Sequence, residues 1–325
     1  MIALLRRFKA LVSIAHNSAY DIRRYFAFSM SGRTTLSDSQ LASRMLQKAH
    51  SIEKALALPA PRTNFGQAAL QELHRCLCEY RKRSAGEDTV PYRKGLAAFS
   101  NYRTFHEDRG IEIKREIRAL VDGACSWIQT APGASVTEIT KVEYLAKSQR
   151  DFKAMAESRR SVRMFAPSDI PLDKVRASIE LAQWTPSVCN RQSSRVYIVH
   201  DPVLRNKALE IQGGNRGFAE EIRCLLIVTS TFAAFKGGAE RHQAWVDGGM
   251  FSMSLLHALH YYGFGACPLN FSASPSKDRA LRAALPIKSD EAIIMMVAVG
   301  VLRDRFVVAA SPRLPAEKII TELRS

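Results

Sequence analysis

The stretch Ala131-Pro132-Gly133-Ala134-Ser135 decides how this sequence is organised. It is made of small residues and helix breakers, and the hydrophobic pattern differs on its two sides. Before it, apolar residues recur at helical spacing, and after it they form short β-branched runs. We therefore predict a helical domain over residues 1–135 and a mixed α and β domain over residues 136–325.

Four helices are predicted before the boundary. They cover residues 4–28, 37–54 with a cap at Ser37 or Ser39, 67–83 and 93–105. The first helix is amphipathic, because Leu4, Leu5, Phe8, Leu11, Val12 and Ala15 share one stripe and Arg6, Arg7 and Lys9 lie off it. Docking of this stripe onto its own domain is the favoured interpretation, and contact with a membrane surface is the alternative.

After the boundary the sequence alternates between strand and helix patterns. Buried strands are predicted at residues 196–200, 224–229 and 293–299, and helices at 173–183 and 245–262. The long helix contains Asp247, which we interpret as its N-cap. This alternation indicates a mixed α and β fold class for the second domain.

Composition narrows the cellular setting. The 325 residues include 47 Lys or Arg and 31 Asp or Glu, which gives a net charge of +16. The longest apolar run, Ala292–Leu302, is too short to span a bilayer, and the basic start of the chain does not resemble a secretory signal. The six cysteines contain no Cys-x-x-Cys pair, and the histidines lack metal-ligand spacing. We expect a cytoplasmic protein with no metal site, whose surplus charge forms a solvated face and does not bind nucleic acid.

Two motifs carry candidate chemistry. In an extended segment Arg159, Ser161 and Arg163 would share one face, and two guanidinium groups with a hydroxyl suit a phosphate and a carbonyl. The second motif, Thr185-Pro186-Ser187-Val188-Cys189-Asn190-Arg191-Gln192, follows a helix and precedes a strand. Its small and amide side chains would allow a flat polar ring to approach the backbone closely.

Together these motifs resemble the start of the FMN-dependent nitroreductase family. The resemblance continues through Gly213–Gly217, Asp247–Gly249, the turn Tyr262–Pro268 and Ser311–Pro315, and it covers about residues 145–325. It implies an α+β, nitroreductase-like fold with a mainly antiparallel central sheet flanked by helices, here preceded by the helical domain. It also implies an intertwined homodimer with an FMN site at each of two subunit interfaces.

The resemblance implies a set of cofactor contacts. Arg159, Ser161 and Arg163 would contact the FMN phosphate, ribityl chain and pyrimidine end, and Arg313 would be a second phosphate ligand. Asn215 would lie near the isoalloxazine ring. Two segments complete the set: one reaches the flavin from the partner subunit (Pro186, Ser187, Val188, Asn190), and one lies against the ring and brings a backbone N–H to N5 (Pro268, Leu269, Asn270, Phe271).

The sequence departs from the family at two positions. Phe218 and Ser311 stand where the family often has a lysine. The first departure leaves positive charge at the flavin N1 and O2 to Arg163 or Arg216, and the second leaves the phosphate to Arg159 and Arg313. The N-terminal segments 50–55 and 61–66 resemble extended nitroreductase-like proteins linked with bacterial polysaccharide biosynthesis. For Glu53 and Arg62 in these segments, a structural ion pair or cap and a substrate role are both open.

The function implied is an FMN-dependent oxidoreductase. Hydride would pass from NAD(P)H to flavin N5, and reducing equivalents would then leave to a small electron-poor acceptor. This scheme requires no catalytic side chain, so none is assigned. The alternative is a non-catalytic protein, with or without flavin, that docks onto an acidic partner or a membrane surface.

Overall fold

The computed structural model describes residues 2–28, 34–84, 87–131, 133–134, 136–148, 151–188, 191–235 and 238–324. Its internal contacts divide the chain into two compact units. The first, the mixed unit, contains Met1–Phe28 and Ile139–Phe306; the second, the helical unit, contains Ser29–Glu138 and Val307–Ser325. The chain changes unit at 138/139, close to the predicted boundary, and each unit also includes a segment from the other side of that boundary.

The regular structure that the described residues form before residue 131 is helical, as predicted. Its helices are α1 (Ile2–Phe28), α2 (Asp38–Leu56), α3 (Gln67–Ser84), α4 (Val90–Glu107) and α5 (Arg115–Cys125). Ser37 caps α2: its Oγ accepts from the Gln40 N–H at 3.3 Å, and the Gln40 side chain accepts from the Ser37 N–H at 3.0 Å. This reciprocal capping box fixes where the helix begins. Helix α5 was not predicted.

Helices α2 to α5 share a hydrophobic core. Its fully buried members include Met45, Ile52, Leu70, Leu73, Leu77, Phe99, Tyr102 and Ile117. A buried ion pair crosses this core, because Glu53 of α2 lies 2.6 Å from the Lys94 ammonium of α4 and 3.2 Å from His50 Nδ1. The lysine and the histidine hold the pKa of Glu53 below its ordinary value, although burial opposes them. Glu53 is thus part of a structural ion pair, with Lys94 and not Arg62 as its partner.

The mixed unit is built on a four-stranded sheet. Its strands are β2 (Ser194–Val199), β3 (Cys224–Thr231), β4 (Phe264–Asn270) and β5 (Glu291–Val301), in the order β2-β3-β5-β4 with every pair antiparallel. The predicted α+β class with a mainly antiparallel sheet is confirmed. The segment Tyr262–Pro268, predicted as a turn, turns only at its start, because β4 begins at Phe264.

Helices pack around this sheet. They are α6 (Lys141–Ser148), α7 (Phe152–Ser158), α8 (Leu172–Ala182), α9 (Pro202–Gln212), α10 (Gln243–Tyr261) and α11 (Pro275–Ala284); the short strands β1 (Val136–Thr140) and β6 (Arg305–Ala309) form a separate two-stranded sheet. Helix α10 lies directly on the sheet at Gly248, where an added Cβ would be 2.5 Å from Ile294 Cγ1 of β5. A residue without a side chain therefore sets the distance between helix and strand.

Candidate functional site

The segment Arg159–Phe165 leaves α7 and runs beside β4. Ser161 forms a parallel bridge with Ala266, and the Val162 N–H donates to the Ala266 carbonyl at 3.0 Å. Side chains alternate along extended backbone, so Ser161 and Arg163 lie on the face opposite the buried Val162. The first motif is therefore attached to an edge of the central sheet.

Arg163 carries a nearly buried positive charge. The residue is 8% exposed, and its Nη1 donates to the Ser161 carbonyl at 3.3 Å. Among the residues that the structure describes, no carboxylate forms an ion pair with this guanidinium. Buried cations are normally paired, because removing a charge from water without a partner is costly. The surroundings of Arg163 thus fit an anionic or electron-rich group of a ligand.

Arg159 and Arg160 have different surroundings. The Arg160 Nη1 donates to the carbonyls of Glu157 and Arg159, the latter at 3.0 Å, so its side chain turns back onto the end of α7. The positive charge of Arg159 affects the pKa values of two histidines of α10. Burial, followed by the charge of Arg159, lowers the pKa of His257, and the same two causes are the largest that bring the pKa of His260 to about 4.

His260 is a residue of this region that the sequence did not assign to it. Its Nε2 lies 2.9 Å from the Ser158 Oγ at the end of α7, and its ring meets the Tyr144 ring edge-on at 4.4 Å between centroids. With a pKa of about 4 the buried imidazole is neutral at pH 7. His260 therefore stabilises the end of α7, directly before Arg159, and adds no buried positive charge to that of Arg163.

The predicted ring-contacting segment lies at the end of β4. Pro268 and Leu269 pair with β5, and Asn270 is the exposed last residue of the strand. Strand β4 is at the edge of the four-stranded sheet, a position that tolerates proline. The bridge at Ser161 places the arginine segment beside this same strand.

Gln212, the last residue of α9, links the glycine-rich segment to β4. Its Nε2 donates to the Asn270 carbonyl at 2.9 Å, and its Oε1 accepts from the Gly214 N–H at 2.7 Å and from Asn215 Nδ2 at 3.0 Å. Gly213, with a φ of 75°, ends the helix at this point. The sequence analysis did not identify Gln212. Its position directly before two glycines is the feature that could have marked it, because glycine commonly follows the last residue of a helix.

Asn215 and Phe218 are both buried. The Asn215 amide donates to the Leu209 carbonyl at 2.6 Å as well as to Gln212, so its NH₂ group braces the end of α9. Phe218 belongs to the core, where a lysine would lose its hydration. The aromatic residue at this position is therefore part of the packing of the unit, and the exposed Arg216 lies two residues before it.

Asp247 fixes the position of the second motif. Its buried carboxylate accepts from the Val188 N–H at 3.2 Å and from the Gln243 Nε2 at 2.8 Å. The interpretation of Asp247 as an N-cap is wrong, because α10 already begins at Gln243. The carboxylate instead reaches from the first turns of the helix to the segment 186–188.

The rest of the second motif is held by polar contacts. The Ser187 Oγ accepts from the Gln192 N–H at 2.9 Å, and Arg191 makes two bonds of 2.6 and 2.8 Å to the carboxylate of Glu240. A cleft of about 100 Å³ opens beside Pro186 and Ser187. Asn190 lies outside the described residues.

The predicted residues thus fall into separate groups. One group surrounds the edge strand β4: Arg159, Ser161, Arg163, Asn215, Pro268, Leu269, Asn270 and Phe271. A second group, Pro186, Ser187 and Val188, lies against the start of α10. Arg313 lies in the helical unit, where it is exposed and its Nη1 donates to the Ser311 carbonyl at 2.6 Å.

Comparison with known proteins gives one family for this part of the chain. The model of the nitroreductase family matches residues 156–214 and 208–301. A relative named NADH dehydrogenase, from Thermus thermophilus, is 27% identical, and the match covers 52% of this chain and 95% of the relative. The resemblance of these residues to the nitroreductase family is confirmed.

Solved structures of this fold also align with the chain. A nitroreductase family protein from Streptococcus pneumoniae is 18% identical with a TM-score of 0.44, covering 53% of this chain and 100% of that one. An FMN-dependent nitroreductase from Clostridium difficile is 14% identical with a TM-score of 0.40, and the match covers 45% of this chain and 85% of that one.

Proposed function

We propose that this chain is an FMN-dependent oxidoreductase of the nitroreductase family, which uses NAD(P)H to reduce a small electron-poor acceptor. The observation that carries the proposal is Arg163, a nearly buried cation without a carboxylate partner among the described residues, placed beside the end of β4. The family match over residues 156–301 supports the cofactor, and the relative named NADH dehydrogenase supports the reductant.

The residues around β4 would hold FMN, which when bound supplies a hydride acceptor and donor. Arg159 and Ser161 would bind the phosphate and ribityl chain. Arg163 would place positive charge at the pyrimidine end, where it favours the reduced ring. The segment Pro268–Phe271 would lie against the ring and bring a backbone N–H to it.

The second group of residues would contact the flavin of the partner subunit in a homodimer. An exposed apolar stripe on α10 supports this assembly: Val246, Met250, Met253 and Tyr261 recur at helical spacing and are 40 to 50% exposed. A stripe of this kind on the helix that carries Asp247 is typical of an interface. Dimerisation through α10 would bring the segment 186–188 to the partner's cofactor.

Gly249 allows a direct test of the dimer, because it lies on the same stripe and a Cβ added there would meet no heavy atom within 4 Å. Gly249→Arg should leave the helix intact, since arginine is a better helix former than glycine. Light scattering should then show a monomer with weakened FMN binding, and Gly249→Ala should stay dimeric. A Gly249→Arg protein that remained dimeric with full flavin would refute this interface.

The phosphate contact is tested by a matched pair of arginines. Arg159→Ala should weaken FMN binding roughly tenfold to hundredfold, because a charge-assisted contact contributes about 1.5–3 kcal/mol. Arg160→Ala is the control, since Arg160 turns back onto α7. Equal affinities of the two variants in a fluorescence titration would contradict the assignment.

Two finer features complete the proposal. A cytoplasmic location is supported by the described cysteines, which form no disulfide with one another: Cys76, Cys78, Cys125, Cys224 and Cys267. A role in polysaccharide biosynthesis is supported by the segments 50–55 and 61–66, which resemble extended nitroreductase-like proteins linked with that process. Deletion of the gene should reduce surface polysaccharide if that role is correct, and an unchanged polysaccharide would exclude it.

A further inference from the structure

Helix α1 presents an apolar stripe to solvent. Every described side chain from residue 4 to residue 16 is exposed, so the favoured expectation that the stripe docks onto its own domain is wrong for these residues. The stripe residues Leu4, Phe8, Leu11 and Val12 are 51 to 74% exposed. Large apolar side chains in one continuous row are seldom left in water, which indicates a surface that is covered in use.

The polar side of α1 is strongly basic. Residues 4–16 of the helix contain three cations (Arg6, Arg7 and Lys9) and no acidic residue. Arg6 and Lys9 lie on helix positions away from the row formed by Leu4, Phe8 and Leu11. An apolar stripe bordered by cations is the pattern of a helix that lies at a lipid surface.

The positive charge beside the apolar stripe of α1 decides which partner can cover the stripe. A second copy of α1 packed on the stripe would bring its own Arg6, Arg7 and Lys9 beside the same cations, so like charges would repel at this contact. An anionic bilayer offers both an apolar interior for the stripe and negative headgroups for its border. Among the described residues, no helix is long and apolar enough to cross a membrane. An apolar stripe bordered by cations fits a helix that lies along the surface. At 27 residues α1 is about 40 Å long.

We propose that α1 binds the chain to an anionic lipid surface by burying the row Leu4, Phe8, Leu11 and Val12 in the interfacial layer. Arg6, Arg7 and Lys9 then face the headgroups. The proposal does not depend on flavin binding or on the reaction assigned to the other residues of the mixed unit. It places the chain at the membrane face through a helix that lies along the surface.

Vesicle sedimentation with the full chain tests the proposal. The protein should bind vesicles of phosphatidylcholine and phosphatidylglycerol in a 7:3 ratio, bind pure phosphatidylcholine at least about tenfold more weakly, and lose binding at high salt. Phe8→Gln combined with Leu11→Gln should lower the partition coefficient at least about tenfold. Ser13→Gln adds the same side chain on the opposite face and should bind as the wild type does.

Three results would overturn the proposal. The first is an absence of binding to the mixed vesicles, and the second is equal binding by the Phe8→Gln, Leu11→Gln protein and the Ser13→Gln protein. The third is a changed sedimentation coefficient of the double variant without vesicles, which would assign the stripe to contact between copies. Flavin content is measured on each variant and should be unchanged, so failure here stays distinct from failure of the cofactor site.

Discussion

Replacement of Asp247 tests whether a buried carboxylate positions the second motif for the cofactor. In Asp247→Ala, the Val188 N–H at 3.2 Å and the Gln243 amide at 2.8 Å lose a common acceptor. Each hydrogen bond to a charged group contributes about 1.5–3 kcal/mol, so the loss of two should lower the free energy of unfolding by about 3 kcal/mol or more. The segment 186–188 is then no longer fixed, and the FMN dissociation constant should rise about tenfold or more.

The assay combines urea denaturation with a fluorescence titration of FMN. Asp247→Asn keeps an oxygen that can accept from the Val188 N–H, so it should retain more stability and affinity than Asp247→Ala. Asp173→Ala is the control, because Asp173 is an exposed carboxylate in the first turn of α8. If Asp247→Ala bound FMN as tightly as the Asp173→Ala control, the carboxylate would have no role in positioning the motif.

Three further predictions concern buried groups. The pKa of His260, about 4, lies below the ordinary 6.5, so between these pH values the unfolded chain binds a proton that the folded chain does not. The free energy of unfolding should therefore fall by up to about 3 kcal/mol as the pH drops from 6.5 to 4. His260→Gln should reduce this pH dependence, measured by urea denaturation at each pH. Lys94→Met leaves the Glu53 carboxylate buried without its cation and should cost about 3–5 kcal/mol, whereas adding Glu53→Gln should restore part of the loss in the same denaturation assay. Gly248→Ala places a Cβ 2.5 Å from a β5 side chain and should lower the melting temperature, while Gly249→Ala has open space and should not; equal melting temperatures would contradict the close packing of α10 on the sheet.

Local sequence patterns were sufficient to predict much of the fold. The helical spacing of residues 67–83 predicted α3 (Gln67–Ser84), and the uninterrupted run 224–229 predicted β3 (Cys224–Thr231). Both elements bury residues that repeat at their own period, so the pattern is visible without tertiary information. The sequence did not predict strand β4, because Gly265 and Pro268 are poor strand formers. Contacts with β5 on one side and with the arginine segment on the other hold these residues extended.

The candidate site was predictable only in part. The alternation of Arg159, Ser161 and Arg163 follows from backbone geometry, and an extended segment at the edge of β4 provides it. Gln212 and His260 were missed because their roles depend on contacts with distant residues, Asn270 and Ser158. Asp247 was misassigned for the same reason: its acceptor role depends on Val188, which no local pattern connects to α10.

The central claim is that this chain binds FMN and reduces it with NAD(P)H. The most direct measurement is the visible absorbance of the purified protein, reconstituted with FMN, during anaerobic addition of NADH or NADPH. We predict that the bound flavin bleaches and that its colour returns when an electron-poor acceptor such as a quinone or a nitro compound is added. A protein that takes up no FMN, or one whose bound flavin neither reductant bleaches, would contradict the claim and favour a non-catalytic role.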